Sequence, residues 1–186
     1  MRADALLILQ EVAQPAGQAD QVIMIGIEAC QPGVTEREGA QQKAQTSGND
    51  GAEGDHAKLV ASGANSAFPH HEAGNRKPSR GDTVVIDIVA TLDGYNSDIT
   101  RVVHLGDPSE DGREVYATAL EANQRGREAA RAGARACVLD LGLEHPGPGA
   151  GHGLRFGVRI EDIVVIADRP CRCLTGLDRA LTVRDL

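Results

Sequence analysis

The chain has 186 residues and a net charge of -8, and 41% of its residues are hydrophobic. This length fits one domain spanning residues 1–186, because domains commonly contain roughly 100–200 residues. The excess of acidic residues argues against nucleic-acid binding, which depends largely on Lys and Arg that neutralise phosphates.

The sequence also argues against a membrane protein. The apolar run after Met1 is too short for a signal peptide, and no later segment is long enough to cross a bilayer. The four cysteines are too few and too scattered for a disulfide framework, so we expect free thiols. The predicted location is therefore the cytoplasm.

The N-terminal third contains helix signals and one polar stretch. Residues 3–13 predict a short helix that Pro15 and Gly17 interrupt, while residues 22–27 fit a helix or a strand equally well. Thr35 and Glu38 have the spacing of a capping box, which predicts a helix start. Residues 43–58 become polar and glycine-rich, and we expect this segment to be mobile.

Two β-branched runs, residues 83–91 and 95–105, flank Asp93-Gly94 and predict a β-hairpin. Asp-Gly favours a type I′ turn, which needs positive φ at both central residues. With a two-residue turn, Leu92 pairs with Tyr95, Val89 with Asp98, and Asp87 with Thr100.

The remaining segments predict one helix, one loop and one strand. Ser109 begins a helix over residues 110–132, for which Gly133 supplies a C-cap. Residues 142–153 contain many Gly and Pro and predict a loop. Residues 157–166 are mostly apolar and predict a strand.

The hairpin register places Asp87 and Asp98 on one face, as diagonal neighbours about 7–8 Å apart. Two such carboxylates would repel each other unless a cation lay between them. A divalent metal ion satisfies this condition. On this evidence two alternatives explain the paired aspartates equally well. One aspartate could form an ion pair with Arg101 or Arg159, or it could simply face solvent at the edge of the hairpin.

His152 and Glu161 extend the candidate site. His152 lies between two glycines, where the backbone can approach a ligand closely, and Glu161 lies within an apolar strand. Carboxylate oxygens with one imidazole suit Mn²⁺, Co²⁺, Fe²⁺ or Zn²⁺ better than Ca²⁺. Each residue also has an ordinary interpretation. His152 could be a loop histidine without a ligand, and Glu161 could belong to an ion pair at the edge of a strand.

Five segments resemble, in order, the motifs of the pita-bread metallopeptidases, in the Xaa-Pro aminopeptidase and Xaa-Pro dipeptidase (prolidase) branch. The Ser-Asp-Ile-Thr-Arg form is typical of that branch rather than of methionine aminopeptidases. The matching segments are residues 62–70, 81–87, 94–101, 151–154 and 157–162.

This resemblance implies an α+β fold in which helices flank a curved antiparallel sheet. It also implies two divalent metal ions, with Mn²⁺ or Co²⁺ favoured over Zn²⁺ or Fe²⁺. Asp87 would bind one metal, Asp98 and Glu161 would bridge both, and His152 would bind the other. His70 matches the catalytic histidine that stabilises the tetrahedral intermediate, whereas His71 is better explained as a turn residue.

The sequence departs from the family pattern after Leu154, which continues directly into Arg155 and Phe156. The resemblance implies a longer segment here that carries a second histidine and a further metal-binding glutamate. One metal ion would therefore be bound weakly or lost, so the domain is a truncated form of the fold.

The resemblance implies a metal-dependent exopeptidase that hydrolyses bonds next to proline in short peptides, with activity that the truncation impairs. A catalytically inactive module that acts in binding and a decayed or misread gene product are the alternatives. A metal-free creatinase-like hydrolase is a weaker one, since it leaves the retained ligands unexplained. The resemblance leaves a homodimer open.

Overall fold

The computed structural model describes residues 3–31, 33–49, 59–92, 95–130, 140–146, 154–166 and 171–185. The helices are α1 (Ala3–Ala29), α2 (Glu36–Asn49) and α3 (Glu110–Ala129), with a 3-10 helix over Gly63–Ala67. The strands are β1 (Leu59–Ser62), β2 (Thr83–Leu92), β3 (Tyr95–Leu105), β4 (Asp140–Pro146), β5 (Leu154–Glu161), β6 (Val164–Val165), β7 (Arg172–Cys173) and β8 (Thr182–Arg184).

One sheet organises the described residues. Its strand order is β1-β2-β3-β5-β4, and β8 pairs with β3. All neighbours in that order are antiparallel, whereas β8 runs parallel to β3. Strands β6 and β7 form a separate two-stranded sheet. This arrangement confirms the predicted α+β class with an antiparallel sheet flanked by helices.

The central hairpin has the predicted register. Leu92 pairs with Tyr95, Val89 with Asp98, and Asp87 with Thr100. The turn residues 93 and 94 lie outside the described residues. Because side chains alternate between the two faces of a strand, this register decides which residues face which side of the sheet.

Helix α1 covers one face of the hairpin. Its buried residues Ala19, Val22, Ile23 and Ile27 recur at helical spacing and pack into the main hydrophobic core. The sheet contributes the following residues to this core: Val60, Val84, Ile86, Ile88, Ile99, Val103 and Leu105.

The prediction that Pro15 and Gly17 interrupt this helix is wrong, since α1 continues from Ala3 to Ala29. Residues 22–27, which fitted either type, are helical. A proline inside a helix costs about 3 kcal/mol relative to alanine. Burial of this many apolar side chains against β2 and β3 offsets that cost, which local sequence patterns do not reveal.

Helix α3 forms a second, smaller core with β5. Its Tyr116 and Ala119 pack with Phe156, Val158 and Ile160. Ser109 caps the helix as predicted, because its side chain accepts a hydrogen bond from the Gly112 N–H at 3.1 Å. The predicted C-cap, Gly133, lies outside the described residues, and the described helix ends at Ala129.

The capping box at the start of α2 is confirmed. The Thr35 N–H donates to Glu38 Oε2 at 2.7 Å, and the Glu38 N–H donates to Thr35 Oγ1 at 3.2 Å. Of residues 43–58, which we predicted to be mobile, residues 43–49 belong to α2 and 50–58 lie outside the described residues. Their mobility stays a prediction.

Glu36, the first residue of α2, is fully buried and connects this helix to the segment after β1. Its carboxylate accepts hydrogen bonds from the Ser62 backbone and hydroxyl, the Asn65 amide and the Gly74 N–H, and contacts His71 Nε2 at 2.9 Å. Burial alone would raise the pKa of Glu36, but the bonds from Ser62, His71 and Asn65 hold it below its ordinary value.

Two predictions for the C-terminal third are wrong. The predicted loop 142–153 begins with strand, because β4 extends to Pro146 and pairs with β5, while residues 147–153 lie outside the described residues. The predicted strand 157–166 is divided between β5 and β6. Asp162, just after β5, is buried in an ion pair with Arg101 at 2.7 Å, and this contact fixes the break.

The 3-10 helix lies directly against β5 at Gly157. The Gly157 N–H donates to Ser66 Oγ at 2.8 Å, and Ser66 Oγ donates to the Gly63 carbonyl at 2.6 Å. A Cβ atom on Gly157 would meet the Ser66 carbonyl oxygen and lie 2.8 Å from Ala67 Cα. Only glycine permits this approach.

Among the described residues, no helix is long and apolar enough to cross a membrane.

We predict that Gly157→Ala destabilises the protein by roughly 1–3 kcal/mol, the usual cost of overpacking, because the new methyl group meets backbone atoms that cannot move aside. Urea denaturation measures the change. Gly17→Ala is the matched control, since nothing lies within 4 Å of its added Cβ. A Gly157→Ala variant as stable as the control would contradict the close contact.

Candidate metal centre

The hairpin brings Asp87 and Asp98 together on the face opposite helix α1. Asp87 pairs with Thr100, and Asp98 lies two residues before Thr100 on β3. Their neighbours Val85 and Val102 belong to the second core, whereas Ile86 and Ile99 face α1. The apolar alternation of the hairpin therefore fixes the direction in which the two carboxylates point.

Strand β5 adds a third carboxylate. Glu161 is its last residue, is 2% exposed, and pairs with Thr100 of β3. One carboxylate oxygen of each of Asp87, Asp98 and Glu161 lies within 4.8 Å of the others. We call these three residues the acidic cluster.

Thr100 contacts two of the three residues of the acidic cluster. Its hydroxyl donates to Asp87 Oδ1 at 2.9 Å and lies 3.1 Å from Glu161 Oε2. Sequence reasoning placed Thr100 only as the register partner of Asp87. Its contact with Glu161 depends on the pairing of β3 with β5, which no local pattern predicted.

Asp98 carries the strongest electrostatic signal in the acidic cluster. Burial and the negative charges of Asp87 and Glu161 raise the pKa of Asp98 to about 8. Its Oδ1 atom is buried and has no hydrogen-bond partner among the described residues. A buried acceptor without a partner is costly, so this atom is suited to bind a cation.

Arg159 supplies a positive charge to the acidic cluster. Its guanidinium contacts Asp87 Oδ2 at 3.2 Å and Glu161 Oε2 at 3.1 Å. The ion pair considered for Asp87 and Glu161 is therefore present. One guanidinium cannot balance three carboxylates, and the pKa of Asp98 stays high despite it.

The other arginine considered as a partner, Arg101, does not contact the acidic cluster carboxylates in the described structure. It pairs with the buried Asp162 at 2.7 Å. The donor set of the acidic cluster therefore remains three carboxylates, and oxygen ligands of this kind suit hard divalent cations such as Mg²⁺ and Mn²⁺. The residues fit a metal ion.

The two candidate histidines have different outcomes. His152 lies outside the described residues, so its metal-binding role stays a prediction. His70 is exposed in the turn that follows the 3-10 helix. The carbonyl of the preceding residue, Pro69, accepts a hydrogen bond from Arg159 Nη1 at 3.3 Å. Arg159 thus joins the turn that carries His70 to the acidic cluster.

His71 takes part in a different interaction from His70. It contacts Glu36 at 2.9 Å and is partly buried. Sequence reasoning used Glu36 only as part of a helix start and missed its burial. The signal available was an acidic residue beside the capping threonine, which by itself is common at helix N-termini.

Comparison with known proteins agrees with this geometry. Residues 11–146 match the family model described as metallopeptidase family M24. The Xaa-Pro dipeptidase of Pyrococcus furiosus is 43% identical over 123 residues, which cover 66% of this chain and 35% of that protein. The chain thus spans about a third of the length of the curated relatives it matches.

Solved structures give the same result for the fold. The prolidase from Pyrococcus furiosus matches with a TM-score of 0.79 and 30% identity, over 92% of this chain and 64% of that one. The X-Pro aminopeptidase from Thermotoga maritima matches with a TM-score of 0.78 and 30% identity, over 95% and 63%. These matches confirm the pita-bread fold, and the chain belongs to metallopeptidase family M24.

Proposed function

We propose that this protein is a metal-dependent exopeptidase of the Xaa-Pro dipeptidase or aminopeptidase type, which hydrolyses bonds next to proline in short peptides. The observation that carries the proposal is the acidic cluster, in which a buried oxygen of Asp98 has no partner among the described residues. The similarity to an Xaa-Pro dipeptidase and an X-Pro aminopeptidase supports the substrate class.

Asp87, Asp98 and Glu161 would hold the metal ions, with His152 as the fourth protein ligand. Bound divalent ions polarise the scissile carbonyl and lower the pKa of a water molecule, which makes it a nucleophile at neutral pH. We propose Mn²⁺ or Co²⁺, since carboxylates with one imidazole suit these ions. A cytoplasmic location and a homodimer remain parts of the proposal that rest on the sequence.

The residues around the acidic cluster fix its shape. Thr100 donates to Asp87 at 2.9 Å, and Arg159 contacts both Asp87 and Glu161. These contacts restrict the rotation of the two carboxylates before any ion arrives. Preorganised ligands lower the cost of ordering when a metal binds.

His70 would act on the substrate rather than on the metal. The Pro69 carbonyl accepts from Arg159, so the turn that carries His70 is held beside the acidic cluster. An exposed imidazole in this position can donate a hydrogen bond to the oxygen on which charge develops during carbonyl attack.

A second candidate is a metal-binding module without catalysis. Strand β5 begins at Leu154 and pairs with β4 from Pro146 to Asp140. The family pattern instead has a segment after Leu154 with a further glutamate and a second histidine. Without them, one metal ion is held by fewer ligands and the arrangement for attack is incomplete.

We predict that the wild-type protein binds Mn²⁺ and that Asp98→Asn weakens this binding by more than about 100-fold, beyond the 10–100-fold typical of residues that only support the ligands. Equilibrium dialysis with metal analysis measures the affinity. Asp82→Asn is the matched control, because Asp82 pairs with Arg76 at 2.6 Å outside the acidic cluster. Equal Mn²⁺ content in wild type and Asp98→Asn would refute the assignment.

We predict that Mn²⁺ binding releases a proton from Asp98. Because the pKa of Asp98 is about 8 without metal, affinity should rise with pH up to about 8 and then level off. Ordinary histidines have lost their proton above about pH 7, so the window of about pH 7–8 isolates Asp98. Calorimetry in two buffers of different ionisation enthalpy counts the protons, and no release at pH 7 would contradict the shift.

We predict that the protein cleaves Gly-Pro or Ala-Pro, and that His70→Ala lowers kcat by about 10²–10³, the usual loss for one group that stabilises an oxyanion. Its Mn²⁺ content should not change. Chromatographic detection of released proline measures the rate, and an Ala-Pro-Ala substrate separates aminopeptidase from dipeptidase activity. Tight Mn²⁺ binding with no cleavage of either substrate would favour the second candidate, a metal-binding module without catalysis.

A further inference from the structure

Arg101 of β3 is 3% exposed, and all its donors are used. A guanidinium has five N–H donors. Nη1 donates to the carbonyls of Thr100 at 2.9 Å and Glu161 at 2.8 Å. Nη2 donates to Asp162 Oδ1 at 2.7 Å and the Leu177 carbonyl at 2.9 Å, and Nε donates to the Asp178 carbonyl at 3.1 Å.

These five bonds connect three parts of the chain that are distant in sequence. Thr100 lies in the hairpin, Glu161 ends β5, and Leu177 belongs to the C-terminal segment, which we define as residues 171–185. Because Arg101 follows Thr100 on β3, its side chain lies on the sheet face opposite the acidic cluster. It therefore acts from behind the metal ligands without touching their carboxylates.

Asp162 completes the arrangement on that face. Its side chain is fully buried and accepts from Arg101, from Arg179 Nε at 2.6 Å and from Thr175 Oγ1 at 2.9 Å. Burial alone would raise the pKa of Asp162, but the bond from Arg179 and the charge of Arg101 hold it below its ordinary value. The buried carboxylate therefore contacts both arginines directly.

The C-terminal segment is also held from α1 and α3. Asp20 of α1 accepts from the Gly176 N–H at 2.7 Å, and Tyr116 of α3 donates to the Arg179 carbonyl at 2.6 Å. Between these contacts, the Leu177 and Asp178 carbonyls point to Arg101. The same guanidinium therefore bonds the C-terminal segment and the backbone of Glu161.

We propose that Arg101 is a positioning residue that sets the backbone of Glu161 for metal binding and couples the metal centre to the C-terminal segment. The proposal rests on the proposed metal-binding function. Coupling between two sites is reciprocal. A bound metal ion that fixes Glu161 therefore stabilises the contact of Arg101 with residues 177 and 178, and a loosened C-terminal segment weakens metal binding.

Arg101→Lys tests the proposal. Lysine keeps the charge but has three donors on a flexible chain, so it cannot bond Glu161, Asp162 and the C-terminal segment together. We expect its Mn²⁺ affinity to fall about 10–100-fold, as for other residues that support ligands. Equilibrium dialysis measures the affinity, and hydrogen exchange of peptides covering residues 174–180, with and without Mn²⁺, measures the coupling.

Arg179→Lys is the matched control. Arg179 also bonds Asp162, at 2.6 Å, but no described hydrogen bond joins it to Glu161 or Thr100. We expect the Mn²⁺ affinity of this variant to fall less than that of Arg101→Lys, because Arg179 reaches the backbone of Glu161 only through Asp162 and Arg101. Mn²⁺ should slow exchange in residues 174–180 of the wild type and of Arg179→Lys, but not of Arg101→Lys.

Each outcome decides a different question. If Arg101→Lys binds Mn²⁺ as tightly as the wild type, or if both lysine variants lose the same affinity, the positioning role is wrong while the metal site stands. If the wild type binds no Mn²⁺, the proposed function fails as well. If Arg101→Lys does not fold, Asp98→Asn tests the coupling instead. Mn²⁺ must then slow hydrogen exchange of residues 174–180 in the wild type but not in Asp98→Asn. Equal exchange in the wild type with and without Mn²⁺ would refute the coupling.

Discussion

The pairing register of β2 and β3 is the constraint on which the metal centre depends. A shift of β2 by one residue would turn Asp87 toward helix α1, away from Asp98, and would move the Val84, Ile86 and Ile88 side chains to the other face of the sheet. Burial of those apolar side chains therefore holds the two aspartates where they are. The register that buries the hydrophobic core on one face of the sheet also places the acidic cluster on the other face. A change in the register would therefore disrupt both.

The acidic cluster places like charges close together in a partly buried environment, which is unfavourable without a cation. The described residues reduce the cost in two ways. Arg159 neutralises part of the charge on Asp87 and Glu161, and the raised pKa of Asp98 keeps a proton on its carboxyl group. A divalent ion would replace that proton, which explains why the same groups can be stable without metal and still bind it.

The features predictable from the sequence were those set by short-range rules. The Asp-Gly motif in the sequence predicted the register of Asp87 and Asp98, and the Thr35–Glu38 spacing predicted the start of α2. The continuous α1 and the strand β4 were not predictable, because packing against distant strands decides both. The same holds for Arg101, whose partners lie up to 77 residues away. His152 stays a prediction from resemblance alone.

Glu36 illustrates how one buried charge restricts what evolution or design can do. Its two oxygens receive donors from Ser62, Asn65 and Gly74, all of which present N–H or O–H groups. A glutamine has the same shape but would direct an amide NH₂ group at these donors, and an aliphatic side chain would leave them all unpaired. This position therefore requires an acceptor at both terminal atoms, and its identity is fixed although it lies outside the acidic cluster.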